Sequence, residues 1–533
     1  MRQCLDSRWT LWLSTVIASL GWLALYRWYG LPDHQNDLFF AFEKVPGRSH
    51  SFTLRATGGI LLGIGLAYGV GLWSLSHIET ISRRIKAAVI LAAVVPGVVN
   101  VLLYPVGALD VFNYLVELKL AFHYDENPYL TTFENYRADS FAKPAFLTDI
   151  KLFYGPVWLL LSGLPAVFTG FGNFVNLLIG LKILNLALLA ATAVAIRRHY
   201  ADTRRGWLAV YAFLANPLVL FEGVGNGHND VMMTAFLVVA VVALERQSAL
   251  GFALLALSGL VKFFSLAVLP VAILLVRRHR WPINRITAAI AITAVAIIAM
   301  LAPYWAGGEM IDGLRAGMNE SQEMSHVSPY SLAQQYVRDN PYTGERIVAL
   351  FTPSQWIEDE SPRAWASLDS LESASKRYVT FRRELTEEEQ QALRRGFTAL
   401  FLGLTAIVLW TMRRGNPPMR AMVHILLLFC LLMTNLYPWY LIPIFALLAL
   451  SLNRLGIIYL AVQTTLGLAY YPLYVWAHYD SSFAFNKLHV HLFLALFLTL
   501  PIIAFLAWDA VLGVRILLRD RSAPSAQATA PGA

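Results

Sequence analysis

The chain is short of most things a soluble enzyme is built from. It has two cysteines in 533 residues, Cys4 near the N-terminal end and Cys430 inside an apolar run, so no disulfide framework is expected. Charged residues make up 14% of it, against about a quarter in soluble domains. There is no Walker-type phosphate loop and no Rossmann-type glycine fingerprint, which removes the usual nucleotide-binding architectures. No repeated halves are visible. The only long polar segment is residues 306–395.

What is there is apolar. Hydrophobic residues make up 57% of the chain, and the mean hydropathy is +0.54. A soluble fold cannot hide that much apolar surface, so the expected class is an all-α polytopic membrane protein. Candidate spans are residues 9–26, 54–75, 85–106, 152–168, 174–196, 207–221, 231–244, 250–276, 283–305, 397–412, 421–436, 440–452, 455–471 and 491–516. The first has a weak basic flank (Arg2, Arg8) and no small-residue cleavage site, and reads as a retained helix.

The net charge of +8 is concentrated in short loops: Arg83, Arg84 and Lys86; Arg197, Arg198, Arg204 and Arg205; Arg277, Arg278 and Arg280; Arg413, Arg414 and Arg420; Arg515, Arg519 and Arg521. Such clusters read as topology signals rather than a nucleic-acid surface, and the positive-inside rule wants all of them cytoplasmic. If every run crossed once, parity would fail between residues 151 and 197 and again within 250–276. One broken or re-entrant segment in each interval restores it. The expectation is therefore about twelve crossings plus two such segments, with both termini inside.

The same parity brings four pieces together outside: residues 109–151, the turn 223–230, the loop 306–395 and the tetrapeptide 437–440. The chain then divides into three first spans (1–106), an outer loop with an interfacial helix (107–156), a central membrane module (157–305), a large outer loop (306–395), C-terminal spans (396–518) and a tail expected to be disordered (519–533). Thr386-Glu387-Glu388-Glu389 is a helix-start signal at the end of the outer loop.

The stretch 104–156 holds the first candidate for chemistry. Asp110 follows the third long run and opens a helical pattern, with Val111, Leu115, Leu118 and Phe122 on one stripe and Asp110, Asn113, Tyr114 and Glu117 on another. That predicts an interfacial helix with its apolar face in lipid, ending near Asn127-Pro128-Tyr129. Asp110 suits a general base at a water-facing groove, and it equally suits a helix cap.

Asn226-Gly227-His228-Asn229-Asp230, preceded by Glu222, is dense in polar groups between two apolar runs. A substrate-contacting turn and a plain polar turn are both open. A metal site is not favoured, since His228 and Asp230 have no third ligand nearby. Lys262, near the middle of 250–276, is costly unless it faces a cavity or an anion such as a lipid phosphate. Lys182 is similarly ambiguous. Tyr437-Pro438-Trp439-Tyr440 reads as an aromatic-belt element or as a stacking platform for sugar or lipid.

Asp110 with Tyr114, Asn127-Pro128-Tyr129, Tyr154-Gly155-Pro156, Asn216-Pro217 leading to Gly225 through Asp230, Val261-Lys262-Phe263 and Tyr437 through Tyr440 occur in that order. The series resembles the GT-C superfamily of integral-membrane glycosyltransferases, and most of all the bacterial polyprenol-phosphate-mannose-dependent mannosyltransferases. The resemblance runs from about residue 80 to 450. It implies inverting transfer of a hexose, mannose first, from a polyprenyl-phosphate donor to a hydroxyl of a glycan or glycolipid on the outer face of a bacterial plasma membrane. It implies a catalytic base at Asp110. Where the family often has two neighbouring acids, this chain has Ala108-Leu109 before Asp110, which favours chemistry without a divalent cation and with no cofactor.

The donor's phosphate is the leaving group, so cations must meet it; Lys262, with His228 as a weaker partner, is expected there. Tyr114, Tyr154, Asn229, Asp230, Tyr437 and Trp439 are expected to orient the sugar or lipid. A transporter or flippase of a lipid-linked sugar is the alternative, since broken segments with a buried lysine suit transporters too.

Overall fold

The computed structural model describes residues 2–34, 50–108, 110–145, 147–322, 328–339, 385–413, 417–432, 436–479 and 487–522. Among these, regular structure is helical, with one isolated bridge between Gly30 and Leu103. The first helices are α1 (Arg2–Tyr29), α2 (His50–His77), α3 (Arg83–Leu102) and α4 (Asp110–Phe122). Next come α5 (Pro156–Gly163), α6 (Ala166–Thr169), α7 (Phe174–His199), α8 (Thr203–Leu214) and α9 (Pro217–Leu220). After a π-turn at Phe221–Gly225 follow α10 (Asp230–Glu245), α11 (Leu250–Gly259), α12 (Leu269–Arg278), α13 (Ile283–Leu301), α14 (Gly308–Gln322) and α15 (Pro329–Asp339). The last are α16 (Glu387–Arg413), α17 (Pro418–Leu432), α18 (Leu441–Leu450), α19 (Arg454–Tyr479) and α20 (Lys487–Ser522).

Seven described helices are long and apolar enough to cross a bilayer, or eight if the pair α8 and Pro217–Gly225, bent by 48°, counts as one span. The remaining crossings of the expected twelve would fall to shorter helices. The start of α16 follows the sequence signal closely: Glu389 N donates to Thr386 Oγ1 at 3.2 Å, and Thr386 N donates to Glu389 Oε2 at 2.9 Å. This reciprocal pair satisfies two helix-end donors. The tail beyond residue 522 and the centre of the outer loop, residues 340–384, lie outside the described residues.

Contacts between loops gather the first three basic clusters at one end of the bundle. Arg204 donates to Ile78 O and Ser76 O at 2.7 and 2.5 Å. Arg246 donates to Arg198 O at 3.2 Å, and His199 lies 3.7 Å from Glu245. Arg285 donates to Gln247 at 3.0 Å. Asp110 and the 226–230 turn lie at the other end.

Both expected broken segments are broken. Residues 152–168 form α5 and α6, 8 and 4 residues long; at 1.5 Å per residue neither spans a bilayer. The 174–196 run, by contrast, is one unbroken 26-residue helix, α7. In 250–276 the chain runs up as α11 and back as α12. Gly251 lies against Leu244, Ser258 Oγ donates to Met233 O at 2.8 Å, and Lys262 reaches Asp230. Thus α11 is antiparallel to α10. Phe252 and Trp281, rings 6.1 Å apart, bring the two feet of the hairpin to the same end. Lys262 is its apex.

One expectation is corrected. The α4 helix does not lie with its apolar face in lipid: residues Val111 to Leu120 are all buried in protein, polar and apolar alike. Only Phe122 of the apolar stripe is exposed. Fully burying residues such as Val111, Phe112, Leu115 and Leu118 contributes about 1.5–3 kcal/mol each relative to water, which anchors the helix. It stops at Phe122, before Asn127, and Asp125 turns the chain with φ of 55°.

Candidate active site

Asp110 is the first residue of α4, where unpaired amides and the helix dipole favour a carboxylate. Its side chain is 28% exposed, so water and a substrate can reach it. Enclosure by the surrounding protein raises its pKa to about 6; the Lys262 ammonium offsets part of that, and Asp230 adds to it.

The turn after the π-helix is shaped to pass beneath Asp110. Gly227 has φ of 75°, and a Cβ there would lie 2.8 Å from Val111 Cγ2. Both conformation and space therefore require glycine. Asn226 Oδ1 accepts from Gly107 N at 3.1 Å, tying the turn to the segment between α3 and α4. From α7, Asn185 Nδ2 donates to Gly223 O at 2.8 Å and to His228 O at 3.3 Å.

So held, the buried His228 ring bridges two acids. Its Nδ1 lies 3.9 Å from Asp110 Oδ2 and its Nε2 lies 3.5 Å from Glu222 Oε2. The Trp439 ring covers one face at 4.0 Å and 18°, and Tyr437 stacks on Trp439 at 4.2 Å and 8°. Both ring nitrogens thus face carboxylates, and neither is hydrogen-bonded among the described residues. Trp439 is sandwiched between the His228 and Tyr437 rings, so it stiffens the site.

Lys262 Nζ donates to both oxygens of Asp230 at 3.1 and 2.8 Å and lies 4.4 Å from the centre of the Tyr440 ring. Asp230 is fully buried, while Lys262 keeps 15% exposure, enough for one more acceptor. The hairpin apex is pinned by Tyr154-Gly155-Pro156. Gly155 N donates to Val261 O and Val157 N to Leu260 O, each at 3.2 Å. Tyr154 and Tyr114 bring their hydroxyls 3.4 Å apart, and Tyr129 OH donates to Tyr154 O at 3.0 Å. Asn229 is buried, and among the described residues neither amide atom has a hydrogen-bond partner. Among the described residues, no three His, Cys, Asp or Glu side chains converge as a metal-ligand set.

A model of glycosyltransferase family 87 matches residues 152–434, more than half of the chain. The chain belongs to glycosyltransferase family 87. A second model, the N-terminal domain of alpha-(1->6)-mannopyranosyltransferases, matches residues 13–278 and so includes Asp110. The family 87 match thus lies on a bundle whose described helices include seven long and apolar enough to cross a membrane. No curated protein matches it. Among solved structures, the apo oligosaccharyltransferase of Archaeoglobus fulgidus aligns at 12% identity and a TM-score of 0.36, over 80% of this chain and 56% of that one. The chain therefore spans little more than half the length of that protein.

Both family models include Tyr154, His228, Asp230 and Lys262, whereas Tyr437 and Trp439 lie beyond the end of the family 87 match. Lys182 is not part of the centre. Its Nζ donates to Asn100 O at 3.4 Å and more closely to Leu103 O, closing the carbonyl end of α3. Lys119 is likewise spent on Asp139 at 2.7 Å.

Two acids carry more weight here than their sequence context signals. Glu117, 8% exposed, shares the face of α4 with Asp110 and Tyr114; burial, then the Asp110 charge, raises its pKa to about 8. Glu222 is fully buried at the foot of the turn. Its only sequence signal is a lone acid closing an apolar run.

Proposed function

We propose that this family 87 glycosyltransferase moves a hexose, mannose first, from a polyprenyl-phosphate donor to a hydroxyl of a glycan or glycolipid acceptor. Transfer inverts the anomeric carbon and takes place on the outer face of a bacterial plasma membrane. Basic residues collecting at the opposite end of the bundle support the outer face. The observation that carries the reading is that the 226–230 turn joins the two halves of the centre: His228 lies 3.9 Å from the water-accessible Asp110, and Asp230 holds Lys262 at 2.8 Å.

In this reading Asp110 takes the acceptor proton as the oxygen attacks the anomeric carbon. The bond to the phosphate oxygen breaks, and its electron pair leaves with the phosphate, towards Lys262. Asp230 holds the ammonium aimed. The Tyr114 and Tyr154 hydroxyls and the unpaired amide of Asn229 suit sugar hydroxyls, with Tyr437 at the rim. No divalent cation or other cofactor is required.

Export or flipping of a lipid-linked sugar uses similar broken helices, but transporter sites lie near the midplane. Here the charged groups gather at one end of the bundle. Proteoliposomes given radiolabelled polyprenyl-phosphate mannose and a panel of membrane glycans separate the two. Label joined covalently to an acceptor supports transfer. Label that changes leaflet and stays on its lipid overturns it.

A further inference from the structure

Away from the catalytic end, a cleft of about 890 Å³ runs down the side of the bundle between α2 and α19. Two glycines make it. A Cβ on Gly65 would lie 2.8 Å from Thr465 Cα, and one on Gly69 would lie 3.2 Å from Ala461 Cβ. The two helices therefore close almost to backbone contact and leave a trough where side chains are missing. Leu66, Val70 and Trp73 on one side and Val462 on the other stay exposed along it.

The length and polarity of the cleft describe its occupant. From Gly65 to His77, α2 rises about 18 Å at about 1.5 Å per residue, close to half of a hydrocarbon core about 30 Å thick. The deep end is apolar, and the Thr465 hydroxyl there is spent on Ala461 O at 2.8 Å. Ser7, Thr10, Ser74, His77 and Glu79 line the other end. That end is the inner one, because Arg204 of the second basic cluster donates to Ser76 O and Ile78 O there. An apolar slot one leaflet deep, with a polar mouth at the inner surface, fits the chain and headgroup of a phospholipid.

The mouth carries both signs of charge. Arg8 is exposed, and one of its N–H groups donates to Thr80 Oγ1 at 3.3 Å, which leaves donors for a phosphate. Glu79, the neighbour of Thr80, is exposed at the edge of the cleft. His77 Nδ1 lies 2.8 Å from Trp73 O and must donate to it, since a carbonyl only accepts. In the neutral ring Nε2 is then an acceptor. A carboxylate and an imidazole nitrogen beside an arginine suit a headgroup that joins an ammonium to a phosphate.

We propose that this cleft binds one phospholipid of the inner leaflet with a phosphoethanolamine head. An acyl chain lies along residues 65–73, the ammonium meets Glu79 and His77, and the phosphate meets Arg8. The site is separate from the transfer centre and does not depend on the reading of Asp110.

The test is native mass spectrometry of the purified full-length protein, stripped of lipid in detergent and titrated with phosphatidylethanolamine or phosphatidylglycerol. Wild type is expected to bind phosphatidylethanolamine about tenfold or more tighter than phosphatidylglycerol, the scale of one hydrogen bond to a charged group. Val70→Trp, which adds bulk at an exposed wall of the cleft, is expected to lose that binding. Glu79→Gln is expected to bind the two lipids about equally. Both positions are exposed, so both variants should keep the wild-type unfolding temperature, which separates a lost site from a lost fold. Wild type that binds the two lipids equally, as annular lipid would, overturns the proposal, and so does unchanged binding in Val70→Trp. A lipid-free wild-type dimer that Val70→Trp dissociates also overturns it, by putting a second copy of the chain in the cleft.

Discussion

Gly155 is where two distant parts of the chain touch through their backbones, and it gives the sharpest stability prediction. A Cβ at this position would lie 2.0 Å from Leu260 O and 2.5 Å from the Leu260 carbonyl carbon. Neither neighbour is a side chain that can swing aside. Alanine must therefore push the hairpin apex away and stretch the hydrogen bonds to Val261 O and Leu260 O. Each such bond is worth about 0.5–1.5 kcal/mol net, and overpacking costs about 1–3 kcal/mol. The sum, about 2–6 kcal/mol, is a large share of the roughly 5–15 kcal/mol that holds a typical fold. Gly155→Ala should unfold earlier than wild type in detergent, followed by intrinsic fluorescence. Transfer should fall with it, because Lys262 is two residues from Leu260. Gly172→Ala is the control, since its Cβ meets nothing within 4 Å. A Gly155→Ala protein within about 0.5 kcal/mol of wild type, the range of ordinary surface changes, would refute the contact.

Other outcomes follow from the same geometry. With Asp110 held at about 6, transfer should decline as pH falls through that value, read as an acid limb in kcat against pH. Glu117 has a folded pKa raised from 4.5 to about 8, so its contribution to stability is complete below about 4.5 and lost as pH rises through about 8. The unfolding temperature of wild type should therefore fall relative to Glu117→Gln across that window, and an unchanged difference counts against a buried Glu117. Lys262→Met leaves fully buried Asp230 unpaired and should cost about 3–5 kcal/mol. Adding Asp230→Asn should restore much of that stability in denaturant titrations without restoring transfer. Lys182→Met should lower stability by freeing the Asn100 and Leu103 carbonyls while leaving donor KM unchanged.

Much of this was legible in the chain because membrane proteins write their constraints plainly. Run lengths and basic clusters demanded two broken segments, and a lysine stranded in an apolar run marked the apex of one of them. Glycines at 155 and 227 flagged close approaches without saying to what. Polar partners were harder to read. The environment of α4 was misread because a two-stripe helix looks the same whether its apolar face meets lipid or protein. Spacing gives no direction to the His228 ring; only packing shows its nitrogens turned toward Asp110 and Glu222. Glu222 and Tyr471 are 249 residues apart and meet at one oxygen, a pairing no local pattern contains.

The central claim is that Asp110 removes the acceptor proton. Its most direct measurement is single-turnover transfer of radiolabelled mannose from polyprenyl phosphate by purified wild type and Asp110→Asn, with donor binding measured in parallel. Asparagine keeps the size but cannot take a proton. The expected result is donor binding near wild type with transfer slowed about 10²–10⁴-fold, the usual worth of a positioned base. Equal transfer rates for the two proteins would contradict the account.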